Sequence, residues 1–403
     1  MNNAVTSRLF DVSSNNNISH RAERRLAFQS TVDRFLCFLR RRTTVSTAKL
    51  SEQTLGVLRE FCNSFPFVIT EDGDFSNKVS ALDLQSLVAY IKRMGHEFEM
   101  AQPLEVIPAN VVRNFLFRIR NLLHTDMSKD VSIGSSLNMS GSLPNIKKEL
   151  FSTNNDVLQY EESFGALSNK LLSILNEVKE DELVCQDSEF SMSVYDSIAE
   201  KSDTTVSYGD VIMTAGHSET VLRFLESCSE RNIHVVVVEL SPTNSGSLMA
   251  CRLRELKIGC TLVPDASVHI LMSKISKVII GAHAIDCTGG ILSNSGVMNI
   301  CASAELKSVP VVVVGASIKL TPTFVQSHFQ KNSILSPSSI VNPEDEKIFA
   351  NIEAIHSSYD FVPPKYITLY VTNDPSDFCF GPTDVYRKMA SIYHFDDWDL
   401  ARV

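Results

Sequence analysis

Asp210-Val-Ile-Met-Thr214, His234-Val-Val-Val-Val-Glu239, Cys260-Thr-Leu-Val-Pro264, Lys277-Val-Ile-Ile-Gly281 and Pro310-Val-Val-Val-Val-Gly315 are short β-branched runs separated by helical patterns. Runs this continuously apolar are buried on both faces, which requires a parallel sheet covered by helices. The amphipathic stretches between them have the length of right-handed crossovers. Sheets of this kind place ligands at the C-terminal ends of their strands. Those ends read Ala215-Gly216-His217, Ser241-Pro242-Thr243 and Ala282-His283-Ala284. None supplies an evident nucleophile, general base or phosphate clamp.

The rest of the chain bounds the setting. Its 403 residues suffice for two domains. With 44% hydrophobic and 21% charged residues, it has the composition of a soluble globular protein. A net charge of −10 lacks the basic excess that non-specific nucleic-acid binding needs. The nine cysteines include no C-x-x-C pair and read as reduced core thiols, which points to the cytosol. Met1 to His20 is polar and has no apolar signal region. The longest apolar runs fall short of the ~20 residues that span a bilayer. A cytoplasmic protein without membrane attachment is expected.

Organisation follows from periodicity. Residues 1–20 read as a disordered tail and 21–124 as an N-terminal helical domain. Helical spacing is seen over Arg21–Arg42, Ser51–Asn63 and Ala81–Phe98. A fourth stripe is formed by Val112, Phe115, Leu116, Ile119, Leu122 and Leu123, with Arg113, Arg118 and Arg120 off it. Residues 125–156 read as a polar insertion and 157–207 as connecting helices and a linker. A Rossmann-like parallel-sheet α/β domain is expected over 208–403, with a further strand at Ile367–Thr372 and a closing helix at Thr383–Tyr393.

Several constellations have an ordinary reading beside a chemical one. Gly281-Ala282-His283 and Thr288-Gly289-Gly290 match neither a Walker nor a G-x-G-x-x-G pattern, so turn chemistry explains them. His217, His234 and His283 sit at three separate strand boundaries, whereas a metal would need them to converge. Cys287 and Cys301 read as core thiols unless a neighbour such as His283 lowers a pKa. Asp360-Phe-Val-Pro-Pro364 reads as a rigid corner. The run Tyr386-Arg387 to Trp398 mixes aromatics with charge, as a docking helix or a partner surface would.

At Asp210–Val221, Val278–Ala282, Lys319-Leu-Thr-Pro322, Asp360–Pro364, Tyr386–Met389, Tyr393-His394 and Asp396-Asp397 the sequence resembles a known family. It is similar to the regulatory subunits (alpha, beta and delta) of eukaryotic translation initiation factor 2B, a family shared with sugar-phosphate aldose–ketose isomerases. Ala101-Gln-Pro103 and Asn110-Val-Val-Arg113 fit the beta type. The resemblance leaves out the tail and the two polar stretches; the turn Asn373–Gly381 is longer than the family's. Against the isomerases, the catalytic cysteine and aspartate positions are Gly216 and His283, and the phosphate-holding arginine and lysine positions are Ser241 and Asn294. Without thiolate and carboxylate, proton transfer has neither acid nor base. The resemblance therefore implies a non-catalytic beta-like subunit of a guanine-nucleotide exchange complex, with no cofactor, no metal and no catalytic residue. Implied partners are delta-, alpha-, gamma- and epsilon-type subunits in a heterodecamer, plus the alpha subunit of initiation factor 2, whose phosphorylation the complex senses. The α/β domain would dimerise, with His217, Ser218, Glu219, His234, Tyr386, Arg387, Tyr393 and His394 at the subunit interface. Gln102, Asn110, Arg113, Arg118 and Arg120 would face initiation factor 2. An enzyme rebuilt around His283 and Cys287, or a metabolite-binding homodimer, are the alternatives.

Overall fold

Helical periodicity in the first part of the chain produces a bundle. The computed structural model describes residues 23–41, 46–69, 81–130, 164–182, 194–323, 334–341 and 353–402. The expected tail and positions 131–156 of the polar insertion lie outside the described residues. Helix α1 covers 23–40, followed by α2 (Thr47–Ile69), α3 (Ala81–Ala101), α4 (Val106–Asp130) and α5 (Phe164–Glu182). The stripe read from sequence is the buried face of α4: Val112, Phe115, Leu116 and Ile119 share one core with Phe28, Leu58, Phe61, Leu87 and Ile91. Pro108 falls in the first turn of α4, where no intrahelical amide is lost.

Two boundaries differ from the sequence reading. Helix α4 continues past 124 to Asp130. Helix α5 is a member of the bundle rather than a connector, because Leu167, Leu171, Ile174, Leu175 and Val178 are buried in the same core. By contrast α6 (Val194–Glu200) and α7 (Ser202–Thr205) go with the sheet, since Ile198 is buried beside Phe224, Val235 and Val237.

The α/β domain contains β1 (Val211–Ala215), α8 (Glu219–Glu226), β2 (His234–Val238), α9 (Gly246–Glu255), β3 (Gly259–Val263), α10 (Val268–Leu271) and β4 (Lys277–Gly281). It continues with β5 (Ala284–Ile285), β6 (Ile291–Asn294), α11 (Val297–Leu306), β7 (Val311–Val314), β8 (Ile334–Leu335), β9 (His356–Ser357), β10 (Tyr359–Val362), β11 (Leu369–Val371) and α12 (Val385–Ile392). Six of these strands form one sheet in the order β11-β7-β4-β1-β2-β3, every pair parallel. All six lie within two residues of their sequence expectation. Alternation splits the valines between two layers. Met213, Val236, Val238, Val278, Ile280 and Val313 pack on one side; Ile212, Val235, Val237, Ile279 and Val312 pack on the other. This is why the runs read as continuously apolar.

Sequence reasoning missed a small antiparallel sheet, β10-β6-β5. Asn294 ends β6 and is not on a helix; α11 begins only at Val297. The Asp360–Pro364 corner has a definite job there. The Asp360 carboxylate accepts from the amides of Gly296 (2.7 Å) and Met298 (3.3 Å), closing the N-terminus of α11 from β10.

Candidate functional site

The chain order reverses direction in the sheet between β1 and β4, so a crevice is expected above their C-terminal ends. Gly216 follows β1 with φ +56, and a Cβ there would lie 2.6 Å from Ser245 Oγ and 2.8 Å from Leu240 Cδ1. A side chain at this position, a thiol included, needs both strain and movement of two neighbours. Ser218 precedes α8 in an extended conformation, its Oγ 2.8 Å from where a Cβ on Gly281 would stand. The turn after β1 thus packs closely on Leu240 and Ser245 at Gly216 and on the end of β4 at Gly281.

The helical domain meets the end of β4 at His283. The His283 amide donates to Leu292 O (2.7 Å), and its ring Nε2 lies 3.0 Å from Leu104 O and 3.5 Å from Glu105 Oε1. The ring stacks on Tyr359 at 4.6 Å. Burial pulls the imidazole below its ordinary pKa, Glu105 opposing and Lys319 assisting. Lys319 is buried and donates to Ala282 O (2.8 Å); burial brings its ammonium down to about 8, against the pull of Glu105. Two clefts of about 630 and 640 Å³ lie along the joint, one lined by Asn114, Arg118, Ser317 and Asn373 and the other by Lys92, Arg113, Phe395 and Trp398. The cavity beside Leu104, lined by Pro103, Leu104, Val106, Ala284, Asp286, Leu292 and Thr321, is about 10 Å³. That cavity has room for about one water molecule, not for a sugar phosphate.

Asp286 is a buried residue that the sequence reading passed over. Its Oδ1 accepts from Thr288 N (2.9 Å), Thr288 Oγ1 (2.6 Å) and Gly290 N (2.9 Å), while Oδ2 has no hydrogen-bond partner. The signal was present, because Asp-x-Thr-Gly-Gly is an Asx-turn pattern. Both thiols considered beside this loop are buried, and burial pushes Cys301 up to about 12. Among the described residues no group of His, Cys, Asp or Glu is placed to hold a metal ion.

The residues expected to face initiation factor 2 are largely not on the surface of the chain. Gln102, Asn110, Arg113 and Arg120 are buried, the last three in the joint between the domains. Asn110 Nδ2 donates to Ile318 O (2.7 Å) and Leu320 O (2.9 Å). Arg120 holds both carboxylate oxygens of Asp397 at 2.7 Å. Arg113 reaches Asp397 O (3.3 Å), Trp398 O (3.2 Å) and Glu99 (3.3 Å). Helical periodicity placed these groups off the apolar stripe correctly, but a second domain packs on that polar face. Arg118 is partly exposed and pairs with Glu177 on α5 at 3.2 Å.

The residues expected at a subunit interface divide. Tyr393 is fully buried and donates to Leu320 O (3.1 Å), so it is a core residue rather than an interface residue. Tyr386 is about half exposed and stacks edge-on against Trp398 at 5.1 Å; Arg387 projects into solvent beside Asp384. His394 accepts from the Asp396 amide through Nδ1 (3.3 Å). His217 and Ser218 are partly exposed, and Glu219 pairs with Arg223 along α8 at 3.2 Å. His234 is exposed at the start of β2, its Nε2 2.9 Å from Thr261 Oγ1 on β3. Strand β3 is the edge of the sheet among the described residues, and Leu262 on it is 44% exposed.

These elements have known counterparts. Residues 74–374 match the model of the Initiation factor 2 subunit family. The chain is 27% identical to translation initiation factor eIF2B subunit beta of Dictyostelium discoideum, across 90% of this chain and 95% of that protein. It is 28% identical to ribose 1,5-bisphosphate isomerase of Haloferax volcanii, across 46% of this chain and 57% of that enzyme. Its fold is similar to a chain of the crystal structure of the tetrameric eIF2B-beta2-delta2 complex from C. thermophilum, with TM-score 0.59, 18% identity, and coverage of 91% of this chain and 95% of that one. The α/β domain with its helical bundle thus defines a class of regulatory subunits and related isomerases. The chain belongs to the initiation factor 2 subunit family.

Proposed function

We propose that this protein is a beta-like regulatory subunit of an eIF2B-type guanine-nucleotide exchange complex, acting by scaffolding and not by catalysis. The structural observation that favours this reading is the contact of His283 with Leu104 and Glu105, by which the helical domain covers the end of β4. The near full-length similarity to an eIF2B beta subunit supports it. Pairing with a delta-type subunit through the α/β domain is favoured by the open edge of β3, with His234 and Leu262 exposed there. Alpha-, gamma- and epsilon-type subunits complete the heterodecamer in this reading, which resides in the cytosol. Initiation factor 2 binds it more tightly in one phosphorylation state than the other, a difference of affinity between two states. With Gln102, Asn110, Arg113 and Arg120 buried, only Arg118 of the five residues considered remains accessible to that partner.

A tagged copy recovered from its own cytosol tests the proposal. Native mass measurement should give an assembly of about ten chains with four other subunit types, the composition expected of obligate hetero-oligomers. Recovery as a lone homodimer would sink it. A second reading is favoured by the half-length similarity to the isomerase and by the cluster of His283, Glu105 and the buried Lys319. It predicts turnover of ribose 1,5-bisphosphate that is lost in His283→Ala.

A further inference from the structure

We infer that residues 394–402 form a latch: an acidic peptide segment of the chain bound in a site built by α3 and α4, which sets how the helical domain sits on the α/β domain. The segment follows α12 and pairs with no further strand of the sheet. Its polar contacts run instead to the bundle. Asp397, with no exposed surface, takes both arms of Arg120 at 2.7 Å and Lys92 at 3.2 Å. The carbonyls of Asp396 and Arg402 accept from Lys92 (2.6 and 3.3 Å), and those of Asp397 and Trp398 accept from Arg113 (3.3 and 3.2 Å). Leu400 is buried in the core of the bundle. Gly95 on α3 makes the notch that receives it, since a Cβ there would come within 2.9 Å of Leu400 Cδ1 and 2.8 Å of Val112 Cγ1.

The charge distribution says which partner owns the site. Three cations of the bundle, Lys92, Arg113 and Arg120, converge; within the bundle Glu99 is the carboxylate that meets them. Asp397 and four backbone carbonyls of the terminal segment complete the set. Withdrawing the segment removes the Asp397 carboxylate from Arg120 and Lys92, the costly half of breaking a buried pair, while Arg113 keeps Glu99 and Asn110. On the α/β side the segment is held by looser contacts: the Trp398 indole on Tyr393 O (3.4 Å) and the ring of Tyr386 against Trp398 (5.1 Å) and Phe395 (6.3 Å). The polar tie between the domains runs through this peptide and through Asn110 and His283, beside the apolar contacts of Ala284, Leu292 and Ile318 with the bundle core.

Amide hydrogen exchange of the full chain and of Asp397→Asn tests the latch, because the amide keeps the shape and the backbone contacts. Exchange in α3 and α4 should rise by about a hundredfold, the scale of a broken buried pair, while β1 and β2 stay protected. A chain ending at Tyr393 should show the same pattern. Added synthetic peptide of residues 394–403 should restore protection to α3 and α4, and the Asp397→Asn peptide should not. If the shortened chain does not fold, the full-length Asp397→Asn result decides alone. Unchanged exchange in Asp397→Asn, or an equal rise in β1 and β2, would overturn the inference.

Discussion

Gly216 and Lys319 show how much of the site is set by single residues. At Gly216 the left-handed φ of +56 and the crowding by Ser245 and Leu240 act together. Gly216→Cys is expected to destabilise the chain by about 1–3 kcal/mol in denaturant unfolding. It should add no isomerase activity, and a neutral or stabilising result would contradict the geometry. Lys319 makes a prediction about pH. Its folded-state pKa of about 8 lies below the ordinary 10.5, so between these values the unfolded chain binds more protons than the folded one. Stability from this group therefore rises with pH over that window. The wild type should gain about 3 kcal/mol over Lys319→Met between pH 8 and 10.5. A pH-independent difference between the two would show that the ammonium is not desolvated. The depressed lysine was not legible in the sequence, because its burial arises only in the packed chain, where Glu105 of another domain opposes the shift.

At the scale of elements, the six parallel strands were legible because a strand buried on both faces has nowhere to place polar residues. Strand β3 is the instructive exception. It lies at the edge, and its exposure is carried by Gly259, Thr261 and Leu262. Leu262→Lys is expected to change thermal stability of the isolated chain by less than about 0.5 kcal/mol, as an exposed substitution does. The same change should weaken recovery of a delta-type partner, read by native mass, since charge on an open edge blocks strand or face pairing. Unaltered assembly would move the interface elsewhere on the α/β domain. The small sheet β10-β6-β5 was illegible for the opposite reason: strands of two to four residues carry too little periodicity to be distinguished from turns.

For the whole molecule, composition and hydropathy pattern separated the bundle from the sheet domain, and the clustering of Ile198 with Val235 and of Leu171 with Phe61 places the change between α5 and α6. What they did not show is that the two domains share a core. Ala284, Leu292, Ile318 and Leu400 of the second domain are buried among residues of the first. The polar face of α4 is consequently an internal surface, and the reading of its arginines as outward-facing failed for that reason. The assembly and latch experiments belong to this scale, the first asking what the chain joins and the second how its own halves are held.

The sequence by itself determined the parallel sheet and the helical bundle, because each follows from local pattern and residue type. Tertiary structure alone decided that Asn110, Arg113 and Arg120 are buried, that His283 is filled against by Leu104, and that the C-terminal segment returns to α3 and α4. These facts depend on residues as far apart as 92 and 397 meeting, and no periodicity in one segment records which surface another segment will cover.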